Sequence, residues 1–383
     1  MRRTADVVVV GAGAVGAACA YFAARAGLDV QVVERGRVLG GTSSACEGNV
    51  LVSDKEVGPE LDLARYSNRV WREDLGEFGG LWEFEAKGGL VVAATDSGAR
   101  GLAELAGGQR AAGVVAEDVA EDDIASFEPN IRQGLRAAVH YPQDAQLQPM
   151  LMTAHLLRLT RQRGGAVATG TPVTGYLRDG DRVTGVRTPR GDVSAAHVVN
   201  AAGPWLSEVA ALAGVDVPVL PRRGFVLVTE PRPKTVHHKV YAAEYVAGTQ
   251  SSDTGLQTSP VVEGTPSGTI LIGSSRERVG FDRTVALPVL RELAAKAVDL
   301  FPVLAGVQVL RAYLGFRPYC PDHLPVIGPD PRAPGLWHAG GHEGAGIGLS
   351  AGTGKLLAQA LAGHHTDIEL APFDPARFAT ETT

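Results

Sequence analysis

Residues 7 to 34 constrain this chain more than any other stretch. Val7-Val8-Val9-Val10 is a run of four β-branched residues that stops at glycine, the pattern of a buried parallel strand ending in a turn. Gly11-Ala12-Gly13-Ala14-Val15-Gly16 follows, and the small residues from Ala17 to Arg25 read as a helix stopped by Gly27. Val30-Gln31-Val32-Val33 is a second strand that delivers Glu34 at its carboxyl end. Strand, glycine turn, helix, strand and acid in that order make a complete βαβ unit.

The spacing has a chemical reason. Gly11 permits the tight turn, Gly13 lets backbone N–H groups approach a pyrophosphate, and Gly16 lets helix and strand pack closely, with Ala14 and Val15 as further cofactor-binding positions between them. The helix N-terminus adds partial positive charge. Glu34, 18 residues beyond Gly16, stands where a carboxylate accepts hydrogen bonds from adenosine ribose hydroxyls. A Rossmann-like dinucleotide site is therefore predicted in an α/β fold, but the unit alone does not separate NAD from FAD, since both present an ADP moiety.

The 18-residue uncharged stretch from Val7 to Ala24 just reaches the length of a membrane span, and Met1-Arg2-Arg3 before it imitates a signal peptide. The glycines at 11, 13 and 16 interrupt it, so neither a membrane span nor export is expected. Net charge is −6 with no Lys/Arg stripe, which argues against nucleic acid and for a small-molecule ligand. Cys19, Cys46 and Cys320 are odd in number and widely spaced, implying no disulfide framework and no metal site, as in a reducing cytoplasm. At 383 residues, with roughly 100 to 200 per domain, two or three domains are expected.

Along the rest of the chain, Gly40 to Asn49 is a small, polar stretch suited to a diphosphate, with Thr42 and Ser43 in it. Helical spacing runs from Pro59 to Leu75, a strand from Gly88 to Ala94, and an Ala/Glu-rich helix on to about residue 120. Pro149 to Arg163 is a further helix, Val167 and Val173 lie on strands, and Gly180-Asp181 turns a hairpin into Val183 to Val186. His197 to Asn200 is a buried strand ending in Ala201-Ala202-Gly203-Pro204-Trp205. Strands at Val217 to Thr229 and Thr269 to Ile272 and a helix at Leu287 to Leu300 suggest an antiparallel sheet inserted between halves of the nucleotide domain. Near the end, Leu336 to Gly348 runs from a strand into a glycine-rich turn, with a helix from about Ser350.

Four separated motifs now stand in order: VVVVGAGAVG with Glu34, VVNAAGPW at 198 to 205, GFRPYCPDHLPVIG at 315 to 328 and AGGHEGAGIGLSAGTG at 339 to 354. In these the chain resembles, from end to end, the FAD-dependent D-amino acid oxidase (DAO) superfamily, in its glycine oxidase, sarcosine oxidase β-type and D-hydroxyproline dehydrogenase branch. The resemblance implies a GR2-type FAD-binding domain at 1–78, 141–215 and 318–383, and a substrate domain at 79–140 and 216–317. The ADP half of FAD would lie at Gly11, Gly13, Gly16, Glu34 and Arg35, with Thr42 and Ser43 at its phosphates or ribityl and Val173 at adenine. Ala202, Gly203 and Trp205 would line the same site. Gly48 and Asn49 would border the flavin ring, and Gly344, Ala345, Gly346, Ile347 and Gly348 would aim amides and a helix dipole at its N1/O2 edge.

The same resemblance makes Arg317 the residue that binds a substrate carboxylate, for which its planar fork is suited. Tyr241 or Tyr245 would add a hydroxyl, and His342 is either a polar neighbour of the flavin or structural. Two departures from the family pattern matter. Glycine oxidase carries an arginine where this chain has Gly344, implying a roomier cavity and a bulkier substrate than glycine. Sarcosine oxidases attach their flavin to a cysteine at the position of Gly315, so FAD is expected to be noncovalent. The implied reaction is oxidation of the C–N bond of a glycine-type amine (glycine, sarcosine or a bulkier N-carboxymethyl amine) by hydride transfer to flavin N5. D-Amino acid or D-proline oxidation stands second, with either O2 or a partner protein reoxidising the flavin and the oligomeric state open; a noncatalytic flavoprotein subunit is the reading from a different class.

Overall fold

The computed structural model describes residues 1–249 and 251–379. The strand Thr4–Val10 lies inside an eight-stranded sheet, paired in parallel with Val30–Val33 on one side and Val193–Asn200 on the other. Beyond them, Ala166–Ala168 and Leu336–Gly340 extend the parallel core, and antiparallel Val326–Pro329 closes one edge. Val7, Val8 and Val9 have no exposed surface because both faces are covered. Side chains alternate across a strand, so Val7 and Val9 pack with the helices Ala14–Arg25, Pro149–Gln162 and Gly346–Leu361, while Val8 and Val10 meet the Gly175–Asp179/Arg182–Arg187 hairpin and the segment around Leu206 and Val217.

A second eight-stranded sheet runs Val309–Tyr319, Leu220–Thr229, Ile270–Arg276, Gln257–Gly264, Lys239–Ala242, Gly89–Ala93, Ala137–Tyr141, Glu117–Val119. It is antiparallel except where Lys239–Ala242 meets Gly89–Ala93 in parallel. Helix Leu287–Leu300 buries its Val289, Leu293 and Ala297 face on this sheet.

Three local expectations are corrected. The helix drawn to residue 120 spans Asp96–Ala111: Gly113, at φ +84°, donates its N–H to the Arg110 carbonyl, and Glu117–Val119 continues as an edge strand. Val173 lies in an extended loop between strands. The last helix begins at Gly346, four residues before Ser350. Tertiary contacts override the weak helix propensity of its glycines: the Gly348 carbonyl accepts from Trp71 Nε1 at 2.8 Å and Ser67 Oγ at 2.5 Å. Among the described residues no helix is long and apolar enough to cross a membrane, and Val7 to Ala24 is divided between a strand and a helix.

The Ala14–Arg25 and Gly346–Leu361 helices meet backbone to backbone. A Cβ on Gly354 would lie 2.6 Å from the Ala18 carbonyl carbon, and neither main chain can yield without moving a buried helix. Gly354→Val is expected to cost about 2 kcal/mol or more by overpacking. Thermal and urea denaturation of the variant beside wild type measure it.

Candidate active site

At the end of the first strand, Gly11 takes φ +106°, and a Cβ there would lie 2.5 Å from the Ala201 carbonyl oxygen. A Cβ on Gly16 would lie 2.1 Å from the Gly11 carbonyl oxygen. Turn, helix and neighbouring strand thus close on one another with no room for side chains. The helix that follows has no side-chain cap from Gly13. Ala14 N–H donates to Ser43 Oγ at 2.9 Å, and Glu34 accepts from Ala12 N–H at 2.9 Å and Gly36 N–H at 2.8 Å. A groove opens here between Gly11, Gly13, Glu34, Arg35, Thr42, Ser43, Val173, Ala202, Gly203 and Trp205. The Arg35 guanidinium lies 3.7 Å over the Trp205 ring, which stacks on Phe281.

The groove runs on, through shared walls at Gly13, Thr42, Ser43 and Gly203, into a deeper cavity. Ala14, Val15, Cys46, Glu47, Asn49, Tyr245, Gly315, Arg317, His342, Gly344, Gly346 and Ile347 are among its walls. The Gly346–Leu361 helix also starts without a side-chain cap. Two helix N-termini therefore face one elongated groove, each offering partial positive charge, the first with its Ala14 N–H already taken by Ser43. This fits FAD, whose pyrophosphate suits the first terminus and whose electronegative pyrimidine edge suits the second.

The family model described as DAO, FAD dependent oxidoreductase, matches residues 6–360. The chain belongs to this family. It is accordingly an FAD-dependent oxidoreductase. It is 30% identical to hydrogen cyanide synthase subunit HcnC of Pseudomonas aeruginosa, over 100% of this chain and 98% of that protein, and 31% identical to glycine oxidase of the same organism, over 97% and 98%. The crystal structure of glycine oxidase from Geobacillus kaustophilus superposes with a TM-score of 0.89 at 25% identity, covering 99% of this chain and 100% of that one.

Within the DAO frame, most of the residues singled out by sequence meet at the groove, and five do not line it. Tyr241 is fully buried elsewhere: its hydroxyl lies 2.5 Å from Ser53 Oγ, which in turn bonds Asp144. Burial raises Asp144 to about 7, against the opposing hydrogen bonds of Ser53 and Val52. Gly48 is a packing glycine, since a Cβ would lie 1.7 Å from the Leu147 carbonyl oxygen. Gly348 likewise faces away, against the Asn49 backbone, and Gly16 serves the helix–strand contact. Ala345 lines a smaller adjoining cavity instead of the groove. Thr42 reaches the groove, but its hydroxyl proton goes to the Phe316 carbonyl at 2.6 Å.

His342 is buried with Nε2 3.0 Å from Thr353 Oγ1 and Nδ1 unpartnered. Burial pushes its imidazole down to about 3, so it is neutral at ordinary pH. Sequence reasoning missed Glu47, buried on the cavity wall 3.6 Å from Lys239 Nζ. Burial raises its carboxyl, opposed by Lys239 and reinforced by Glu263. Lys239 is pulled down by its own burial, yet Glu263 at 2.6 Å and Glu47 outweigh it and hold the ammonium above its usual range. The only signal for Glu47 in the sequence was a charge inside a small-residue stretch.

The depressed His342 sets an acid limb on stability. The unfolded imidazole takes up a proton below about 6.5 while the folded one does not, so stability is present above that pH and is lost as pH falls towards 3. The loss from this group is expected to be roughly 2 kcal/mol between about pH 6.5 and 4.5. Urea midpoints measured against pH should flatten over that window in His342→Gln.

Proposed function

We propose that this DAO-family protein oxidises the C–N bond of a glycine-type amine, with Arg317 holding the substrate carboxylate. Arg317 carries the reading: it stands half-buried on the inner cavity wall, donates Nη1–H to the Ser275 carbonyl at 2.7 Å, and has no carboxylate within ion-pairing distance among the described residues. A guanidinium fixed by one backbone carbonyl keeps its other donors for a planar anion. Tyr245 is on the same wall and is proposed to add a hydroxyl. Beside them Gly344 leaves room, since a Cβ there would come within 3.6 Å of Arg317 Nε, which supports a substrate bulkier than glycine.

When bound, FAD supplies a two-electron acceptor that takes a hydride at flavin N5. The α-C–H pair leaves the substrate as that hydride, the amine nitrogen gives its proton to solvent, and the resulting imine is hydrolysed by water. Arg317 orients the α-carbon, and the neutral, enclosed His342 keeps positive charge away from the cavity floor. No side chain is asked to act as a base if the amine binds neutral.

Gly315, at the position where a cysteine would carry the flavin, supports noncovalent binding, and the three free cysteines support a cytoplasmic setting. The two sheets support a division into an FAD-binding domain at 1–78, 141–215 and 318–383 and a substrate domain at 79–140 and 216–317. A second reading is D-amino acid or D-proline oxidation with electrons passed to a partner; the HcnC relative, whose name makes it a subunit of a larger enzyme, supports the partner alone.

Anaerobic addition of glycine, sarcosine, larger N-carboxymethyl amines or D-proline to the yellow holoenzyme is expected to bleach the visible flavin bands with the N-substituted glycines first. Arg317→Ala should keep its FAD and lose at least about 100-fold in kcat/KM. An Arg317→Ala enzyme with full turnover would remove the carboxylate assignment.

A further inference from the structure

Three adjacent strands of the second sheet carry an arginine to one cavity. Arg222 on Leu220–Thr229 stands directly opposite Arg317 on Val309–Tyr319, and cross-strand partners share a face. Arg276 ends the neighbouring strand Ile270–Arg276, one residue beyond the Ser275 carbonyl that holds Arg317. All three line a small side cavity with Tyr245, and this cavity shares Tyr245, Arg317, Glu343 and Gly344 with the flavin-side cavity. Like charges placed this way repel, and anions between them would relieve the repulsion.

The protein's own carboxylates do not meet that need. Asp54 and Glu60 sit 2.7 and 3.8 Å from Lys55, and Glu343 sits 3.4 Å from Arg222 and 3.0 Å from His323. Arg276 is only 5% exposed, and among the described residues no hydrogen bond or ion pair engages its guanidinium; its one close partner is the Tyr245 ring, 4.8 Å away. Burial, with Arg317 and Arg222 adding to it against the pull of Tyr245, lowers Arg276 to about 10. Arg223, the next residue after Arg222, shows the contrast: it is also buried, but pairs with Glu277 and Asp282 at 2.9 and 2.6 Å.

A buried, unpaired guanidinium facing a cavity beside the substrate arginine is costly unless a ligand satisfies it. We infer that the substrate carries two carboxylates, one taken by Arg317 and the second by Arg276, with the amine between them. This rests on the amine-oxidation reading for the placing of the amine, but the two-anion site stands on the arginines alone. An N-carboxymethyl amino acid or iminodiacetate has the required form; sarcosine has only half of it. Planar carboxylates suit two guanidinium forks better than bulkier anions suit so small a space.

The test separates binding from turnover. Glutarate is the carba-analogue of iminodiacetate and cannot be oxidised as an amine; butyrate lacks its second carboxylate. Titrated into the holoenzyme and read by perturbation of the flavin spectrum, glutarate is expected to bind at least about 30-fold tighter than butyrate, and Arg276→Gln to bring the two within about 3-fold. In turnover, Arg276→Gln should lower kcat/KM for iminodiacetate about 30-fold and for sarcosine less than about 3-fold. Glutarate and butyrate binding within about 3-fold of each other to wild type would overturn the inference whether or not the variant folds, and so would an Arg276→Gln variant that weakens both equally. Glutarate preference without bleaching by any amine would keep the two-carboxylate site and remove the amine-oxidation reading; bleaching by sarcosine without glutarate preference would do the reverse.

Discussion

Everything in the cofactor groove depends on three pieces of backbone meeting without side chains: the turn at Gly11, the first helical turn at Gly16 and the strand end at Ala201. Two carbonyl oxygens occupy the places where Cβ atoms would be. That closeness brings the N–H groups of Ala12 and Ala14 to the groove edge, where Glu34 and Ser43 hold the loop in shape. An extended dinucleotide needs such a floor, because any side chain there would fill the space its phosphates require. The buried parallel strands beneath give the floor its rigidity.

The substrate side is built on a different principle. There a sheet delivers charge at fixed register, so the relative positions of Arg222, Arg276 and Arg317 follow from strand pairing and need no loop to arrange them. Some of the charge is cancelled locally by Glu343, and the rest is left facing the cavity. The flavin side holds a neutral histidine and a carboxyl pushed towards its neutral form, so the two ends of one continuous space differ in electrical character. Such a gradient orients an anionic ligand before any specific contact forms.

Much of this could be read from the sequence, and the part that could not has a physical cause. The βαβ unit was legible because all its information is local: a β-branched run, glycines at fixed offsets and an acid within 34 residues. Arg317 was legible through the residues flanking it. Arg222 and Arg276 were not, because they lie 95 and 41 positions before Arg317 and only sheet register brings them together. Tyr241 and Tyr245 show the same limit: four residues apart, one is turned towards Ser53 and the other into the cavity, and no local pattern tells them apart. The glycine-rich start of the last helix read as a turn because its helicity comes from Trp71, Ser67 and Ala18, all more than 270 residues away.

The bare contact between Ala18 and Gly354 acts as a length gauge. It joins the two helices whose first turns both line the deeper part of the cofactor groove, and because both partners are main chain it has no slack to absorb. The span between the two N-termini is therefore set far from either of them, in the dry interior. A methyl group introduced at that crossing would alter the distance between two anchoring points at once, changing how the groove measures its occupant without touching a single atom that lines it.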